Sequence, residues 1–257
     1  MLKKIKKILS KKKKIPLVCL TAYSKNIAQI IDKNCDMILV GDSLANVLYG
    51  MKNTHKITLE TMIKHTQSVR LGVKKSLLIV DMPKNTYITK KNALKNAKKI
   101  ISMTGCEAVK LESNSKNYNI IHHLVKSGIP VMGHIGYTPQ FKGKFRACGH
   151  NQKEKNKLIK EAKNIEKAGA FSIVLECIAS KASKEITEQL KIVTVGIGSS
   201  VNCDGQILVT DDLLGLSGFY PKFVKKYVKL DKIIEKGVQK YKSDVLNKKF
   251  PEKKNEY

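Results

Sequence analysis

Four carboxylates, Asp42, Asp81, Glu112 and Glu176, stand at or next to the C-terminal ends of short runs rich in Val, Ile and Leu. The first lies in "LVGDSLANVLYG", where an apolar run gives way abruptly to Gly41, Asp42 and Ser43. Taken alone, Asp42 and Ser43 read as a helix cap, because both side chains accept hydrogen bonds from the free amides of a first turn. Carboxylates at the ends of several runs suggest a site instead. Asp42, Asp81 and Glu112 aimed at one space would repel one another unless a cation lay between them. Oxygen ligands without Cys or imidazole favour a hard divalent ion, Mg²⁺ above all, with positions left open for water or substrate. Separate salt bridges to nearby lysines are the competing explanation. Lys110, two residues before Glu112, faces the same side of a strand and suits either holding an anionic substrate or offsetting the charge of the cluster. Glu176 stands apart from the other three, in the position of a general base. His134, within "VMGHIGYTPQ", could donate a hydrogen bond to a substrate or be a satisfied core residue.

Such residues need a scaffold that brings the ends of separate segments together. Eight continuous apolar runs recur along the chain: "PLVCLTAY", "DMILVGDS", "SLLIVDMP", "EAVKLE", "IPVMGHIG", "FSIVLEC", "KIVTVGIG" and "GQILV". Their lack of alternation suits parallel strands covered on the outer face. Between them, "TLETMIKHTQSVRLG", "ALKNAKKIISMTG" and "LIKEAKNIEKAGA" carry apolar residues at helical spacing, several ending in Gly as helix C-termini do. Strand followed by helix, repeated over 257 residues, predicts an α/β fold, a (β/α)₈ TIM barrel, with a doubly wound open sheet as the alternative. A barrel gathers the C-terminal ends of its strands at one face, so the scattered polar residues would share a pocket.

The length fits one domain over 1–257, with a basic segment at 1–15 and a lysine-rich tail at 243–257, and 42% hydrophobic residues supply a core. A formal charge of +28 would ordinarily point to nucleic acid or an anionic membrane. Among 49 basic residues, however, only Arg70 and Arg146 carry the guanidinium on which dedicated nucleic-acid surfaces lean. Lysines spread along "KKNALKNAKKI" and "EAKNIEKAG", without Trp and with 6% aromatic residues, read as a solvated face, so no specific nucleic-acid partner is expected. Cys19, Cys35, Cys106, Cys148, Cys177 and Cys203 form no CxxC pair. Their spacing argues against zinc and a disulfide framework, and suits buried thiols in a reducing cytosol. "MLKKIKKILSKKKKIP" lacks the apolar centre of a secretory signal, and no apolar run is long enough to span a membrane. The expected location is the cytoplasm.

The stretches "LTAYS", "DMILVGDSL", "TLETMIKHTQSV", "VDMP", "AVKLE", "GIPVMGHIGYTPQ", "EAKNIEKAGAFSIVLEC", "TVGIG" and "CDGQILVTDDLLGL" resemble the ketopantoate hydroxymethyltransferase family, in order, from about Pro16 to Tyr227. The resemblance implies a barrel of the phosphoenolpyruvate mutase and isocitrate lyase group, Mg²⁺, 5,10-methylenetetrahydrofolate as co-substrate and assembly as a homodecamer. It implies a reaction on the keto acid 3-methyl-2-oxobutanoate that gives 2-dehydropantoate. Asp42 and Asp81 match positions at the metal and substrate, and Glu112 matches a third acidic position there, reaching the ion through water. Ser43 and Lys110 match contacts to the keto acid, His134 a pocket residue, and Glu176 the proton acceptor. Departures fall in loops at the expected site mouth: Lys84 replaces a Phe, Ser113 and Asn114 a Gly pair, and Ala179 a Pro, while Ser199 and Ser200 enter a glycine-rich stretch. They bear on folate affinity and turnover rather than on reaction type. An Mg²⁺-dependent keto-acid lyase or mutase of the same fold group is the nearest competing function; the "CDGQILVTDDLLGL" stretch favours the transferase. A nucleic-acid-binding barrel without catalysis has only the charge in its favour.

Overall fold

The structure is a computed structural model and describes residues 2–113, 117–143, 145–218 and 220–257. The chain forms two compact units, Met1–Val209 and Thr210–Tyr257. All eight runs read as strands are strands of the first unit: β1 (Leu17–Thr21), β2 (Met37–Val40), β3 (Leu77–Asp81), β4 (Ala108–Glu112), β5 (Val131–Gly136), β6 (Ser172–Glu176), β7 (Val193–Ile197) and β8 (Gly205–Leu208). They pair in chain order, all parallel, and β8 closes onto β1, which settles barrel against open sheet. The same unit holds α1 (Leu2–Ser10), α2 (Lys25–Ile31), α3 (Leu44–Val47), α4 (Leu59–Gly72), α5 (Lys90–Thr104), α6 (Tyr118–Lys126), α7 (Gln152–Lys167) and α8 (Ser180–Gln189).

Strand parity determines which side chains meet. Met37, Leu39, Leu77, Ile79, Ala108, Met132, Val174, Val193 and Val195 fill the barrel interior. Their neighbours Ile38, Val40, Leu78, Val80, Val109, Leu111, Ile173 and Leu175 pack outward among the helix residues. Because side chains alternate along a strand, the interior set continues upward through Asp81, Lys110, Glu112, His134 and Glu176. The polar residues at the strand ends are therefore the top layers of the interior.

Two glycines that end helical segments do different work. Gly105 is left-handed, with φ 66°, and caps α5. Gly72 is helical, and a Cβ there would lie 2.4 Å from the Lys25 carbonyl oxygen, so its bare backbone lets α4 close on α2. The expectation of a glycine stop holds for the first and not for the second.

The basic segment at 1–15 is more than a solvated face. Ile5 and Ile8 of α1 are buried in the interior cluster, and the adjoining lysines are tied to residues at the starts of strands. Lys4 Nζ reaches Ser76 O at 2.7 Å and Glu107 Oε1 at 2.8 Å. Lys11 pairs with Asp36 at 2.5 Å and Lys12 with Asp204 at 2.7 Å. Helix α1 thus plugs the N-terminal end of the barrel. The second unit contains α9 (Thr210–Leu214) and α10 (Leu230–Leu246), and α10 buries none of its residues.

Candidate active site

The opening stretch does not use its carboxylate as a cap. Ser43 precedes α3 without a side-chain cap hydrogen bond; its hydroxyl lies 2.9 Å from that of Tyr23. The carboxylate of Asp42 instead accepts from Gln140 Nε2 at 2.9 Å, and the Asp42 amide donates to Asp81 Oδ2 at 3.0 Å. Asp81 Oδ1 holds the Lys110 ammonium at 2.6 Å. Glu112 Oε2 accepts from the Gln140 amide at 2.9 Å, and Glu112 Oε1 lies 3.7 Å from His134 Nδ1. On the other side of the imidazole, Nε2 is 3.1 Å from Glu176 Oε2. That approach lies off the hydrogen-bonding direction, so among the described residues both buried ring nitrogens have no hydrogen-bond partner. Asp42, Asp81, Lys110, Glu112 and His134 are all buried.

Burial dominates the electrostatics. It raises the Asp42 carboxyl to about 6, helped by the charge of Asp81. It also pushes Glu112 well above the ordinary carboxylate value, with Asp42 adding to the effect. Burial opposes the charge of Lys110, but Asp81, Asp42 and Glu112 outweigh it and hold the ammonium above its usual value. Desolvation, then the charge of Lys110, keeps His134 far below its usual value, so the ring is neutral. Glu176 is raised by burial to about 7, against the pull of Lys110. A carboxylate poised near neutrality, away from the Asp42–Asp81–Lys110 group, is suited to proton transfer.

Do these residues fit a divalent cation? The donors are oxygens, two buried carboxylates lie side by side, and among the described residues Lys110 is the one lysine salt-bridged to the cluster. Among the described residues no three His, Cys, Asp or Glu side chains are close enough to make a complete site. Mg²⁺ is commonly held by one or two carboxylates with water and substrate completing its shell, which Asp42 and Asp81 can supply. Glu112, turned towards Gln140 and His134, stands one layer back.

The interior brings together Asp42, Ser43, Asp81, Lys110, Glu112, His134 and Glu176. The expected departures also lie at this end. The Lys84 ammonium is 3.3 Å from the His55 ring nitrogens, and the Ser113 amide donates to His134 O at 2.8 Å. The Ala179 amide donates to Cys148 O at 2.8 Å, just before α8. Ser199 Oγ is 3.1 Å from Ser183 Oγ, and Ser200 Oγ is 3.1 Å from Ser180 Oγ, so the two serines tie the loop after β7 to α8. Asn114 lies outside the described residues. Sequence reasoning missed Gln140. Its amide spans Asp42 and Met82 O, its backbone holds Glu112, and its Oε1 accepts from Tyr87 Oη at 2.5 Å. The available signal was an uncharged Gln in "YTPQ" directly after β5.

Known proteins share both the barrel and the sequence. A model of the ketopantoate hydroxymethyltransferase family matches residues 2–253. The chain is 53% identical over 255 residues to the 3-methyl-2-oxobutanoate hydroxymethyltransferase of Pelagibacter ubique, covering 99% of each. It is 46% identical over 241 residues to the enzyme of that name from Rhizobium etli, covering 92% of this chain and 88% of the other. Among solved structures, the phosphoenolpyruvate phosphomutase of Streptomyces platensis subsp. rosaceus superposes with a TM-score of 0.65 at 10% identity, over 95% of this chain and 87% of that one. Phosphonopyruvate hydrolase complexed with oxalate and Mg²⁺ gives 0.60 at 11% identity over 80% of each. 2,3-Dimethylmalate lyase, a member of the phosphoenolpyruvate mutase and isocitrate lyase superfamily, gives 0.60 at 12% identity over 80% of each. At such identities these structures establish the fold alone, a closed parallel (β/α)₈ barrel. With its whole length matched and half its residues shared with a named relative, the chain belongs to the ketopantoate hydroxymethyltransferase family.

Proposed function

We propose that the protein transfers a hydroxymethyl group from 5,10-methylenetetrahydrofolate to 3-methyl-2-oxobutanoate, giving 2-dehydropantoate on the route to pantothenate and coenzyme A. The observation that carries this reading is the separation of Glu176, raised to about 7, from the Asp42–Asp81–Lys110 group on the other side of His134. One group can hold the keto acid while the other takes its proton.

Asp42 and Asp81 would hold Mg²⁺, with Glu112 behind them acting through water. When bound, the ion supplies polarisation of the 2-oxo group and offsets the charge of the enolate. Lys110 attracts the substrate carboxylate, and Ser43, steadied by Tyr23, offers a hydroxyl beside it. The Glu176 carboxylate takes the proton from C3. Neutral His134, with Nε2 3.1 Å from Glu176 Oε2, packs beside that carboxylate without adding a positive charge. Water cleaves the two C–N bonds of the folate methylene bridge, releasing tetrahydrofolate and a formaldehyde unit. The enolate carbon bonds to that carbon as its C=O electron pair moves to oxygen, and the oxygen takes up the proton held by Glu176 to give the hydroxymethyl group. Gln140 fixes the spacing of the acidic groups by holding Asp42 and Glu112 at once.

The proposal includes a homo-oligomer, a decamer, located in the cytoplasm. Ile233, Ile234, Val238, Tyr241 and Val245 of α10 are exposed apolar residues that an assembly would cover. Among the described residues no helix is long and apolar enough to cross a membrane. Light scattering on the purified protein measures the assembly. The activity is tested by incubating the protein with both substrates and Mg²⁺ and following 2-dehydropantoate by mass spectrometry. Formation that depends on the keto acid, the folate and the ion supports the reading; absence of product under all conditions overturns it.

A further inference from the structure

Behind one wall of the active site lies a cavity of about 500 Å³, lined by Tyr87, Phe141, Lys90, Lys91, Asn117 and Asn119 among others. Tyr87 is that wall. Its hydroxyl donates to Gln140 at 2.5 Å, and Gln140 in turn holds Asp42, so the cavity begins two hydrogen bonds from the reacting centre. The volume is within the range of about 300 to 1,000 Å³ typical of small-molecule sites. We infer that this cavity receives the p-aminobenzoylglutamate arm of the reduced folate. The inference rests on the activity proposed above.

Three features match three parts of that arm. Tyr87 and Phe141 pack edge to face with ring centroids 6.4 Å apart, and they offer aromatic surface for the benzoyl ring. Asn117, at the start of α6, is buried, and among the described residues its Oδ1 has no hydrogen-bond partner although its Nδ2 donates to Glu112 O. A buried acceptor without a donor is costly, and the single N–H of the benzoyl-glutamate amide would satisfy it. Lys90 and Lys91 open α5, a helix with no acidic residue in its first turn. Two ammonium groups at the positive end of a helix dipole are unfavourable until anions join them. The glutamate carboxylates are such anions, and additional glutamates on a longer tail would extend along the same exposed lysines.

The test replaces both exposed lysines in the full-length protein. The double variant Lys90→Ala with Lys91→Ala should raise KM for the monoglutamate folate by about tenfold or more, and for the triglutamate further still. KM for the keto acid and folate-free exchange of its C3 proton should stay at parental values. N-(p-aminobenzoyl)-L-glutamate should compete with the folate in the parent, and more weakly in the double variant and in Phe141→Ala. A folate KM changed by less than about twofold, or fragment inhibition equal in parent and variants, overturns the assignment. A parent that transfers normally while ignoring these substitutions removes the cavity assignment alone. A parent that neither exchanges the proton nor transfers the one-carbon unit removes the proposed activity, and this assignment with it.

Discussion

At the N-terminal end of the barrel, Glu107, Asp36 and Asp204 each meet a lysine from α1 or the turn after it, at 2.8, 2.5 and 2.7 Å. At the C-terminal end, Asp81 holds the Lys110 ammonium, Asp42, Glu112 and Glu176 form no salt bridge to a lysine among the described residues, and burial raises Asp42, Glu112 and Glu176. Asp32, before β2, shows the first treatment most fully. Burial would raise it, but the amides of Ser76, Lys75 and Lys74 outweigh burial and lower it. The same side-chain chemistry is thus matched by cations at one end and, among the described residues, left short of them at the other. Groups left short of partners have binding capacity to give to an ion, a substrate or a proton. The difference teaches which carboxylates hold the barrel closed and which are held ready.

The comparison breaks most plainly by removing one carboxylate from each end. Asp81→Ala should lower transfer activity by about 10²-fold or more, since it removes both a cation ligand and the partner of Lys110. Asp204→Ala should act in the opposite sense. Asp204 accepts from Lys12 Nζ, the Lys13 amide, the Thr194 amide and the Thr194 hydroxyl, and losing such a buried partner costs about 3 to 5 kcal/mol. Denaturant unfolding should register that loss while kcat at low temperature stays near the parental value. An Asp204 variant that is stable but inactive would abolish the division between the two ends.

Glu176 sharpens the comparison within the mouth itself. Glu176→Gln should reduce exchange of the keto acid's C3 proton with deuterated solvent by about 10²-fold or more, with substrate and Mg²⁺ still bound. The base must be ionised to accept a proton, and burial raises it to about 7. Exchange followed by proton NMR should therefore rise with pH and level off at or below about pH 7, because a bound cation favours the ionised form. If the Gln variant loses Mg²⁺ instead, Glu176 belongs with Asp42 and Asp81.

Much of this contrast was legible in the sequence, and for a physical reason. Asp81, Glu112 and Glu176 each end an apolar run, Lys110 and His134 lie two residues before a strand end, and alternation along a parallel strand carries the interior parity through all five. Gln140 escaped notice because an uncharged amide after a strand looks the same whether it faces solvent or, as here, links Asp42, Glu112 and Tyr87. The role of α1 was hidden by distance. Lys12 and Asp204 are 192 residues apart, so a run of lysines read locally shows charge but not its partner. Gly72 misled because helix-ending glycines serve either a left-handed turn or a close approach, and only the position of α2 decides between them.

Mg²⁺ should stabilise the protein through one end only. At a free concentration one hundred times its Kd, a ligand selective for the folded state adds about 2.7 kcal/mol, a rise in Tm of about 5 °C or more for a chain of this size. Asp42→Asn should remove that gain, and Asp204→Ala should keep it on a lower baseline. The pH dependence follows from Asp42, whose folded value of about 6 lies above the ordinary 3.8. Its contribution to folding is complete below about pH 4 and is lost as the pH rises through 6. The gain from Mg²⁺ should grow over that interval, as calorimetric scans with and without the ion would show.

The smallest expected effect separates lysines that clamp the N-terminal end from those that coat the helices. Lys4 is 28% exposed in its side chain and joins Glu107 while also donating to Ser76 O. Lys64 is 73% exposed in its side chain and pairs with Glu60, one helical turn away, at 3.3 Å. An exposed i, i+4 pair is worth about 0.3 to 0.5 kcal/mol. A half-buried ammonium that also satisfies a backbone carbonyl should contribute about 1 kcal/mol or somewhat more. Lys64→Ala should therefore leave the urea midpoint almost unchanged, and Lys4→Ala should lower it measurably with the slope unaltered. Salt provides the second reading. Raising ionic strength shortens the screening length from about 10 Å at 0.1 M to about 3 Å at 1 M. This should erase what little Lys64 contributes and leave most of the Lys4 contribution in place, because the barrel end shields it. Equal losses for both variants, or equal erasure by salt, would mean that the lysines of α1 are no different from the rest of the basic surface and that Ile5 and Ile8 alone hold the plug.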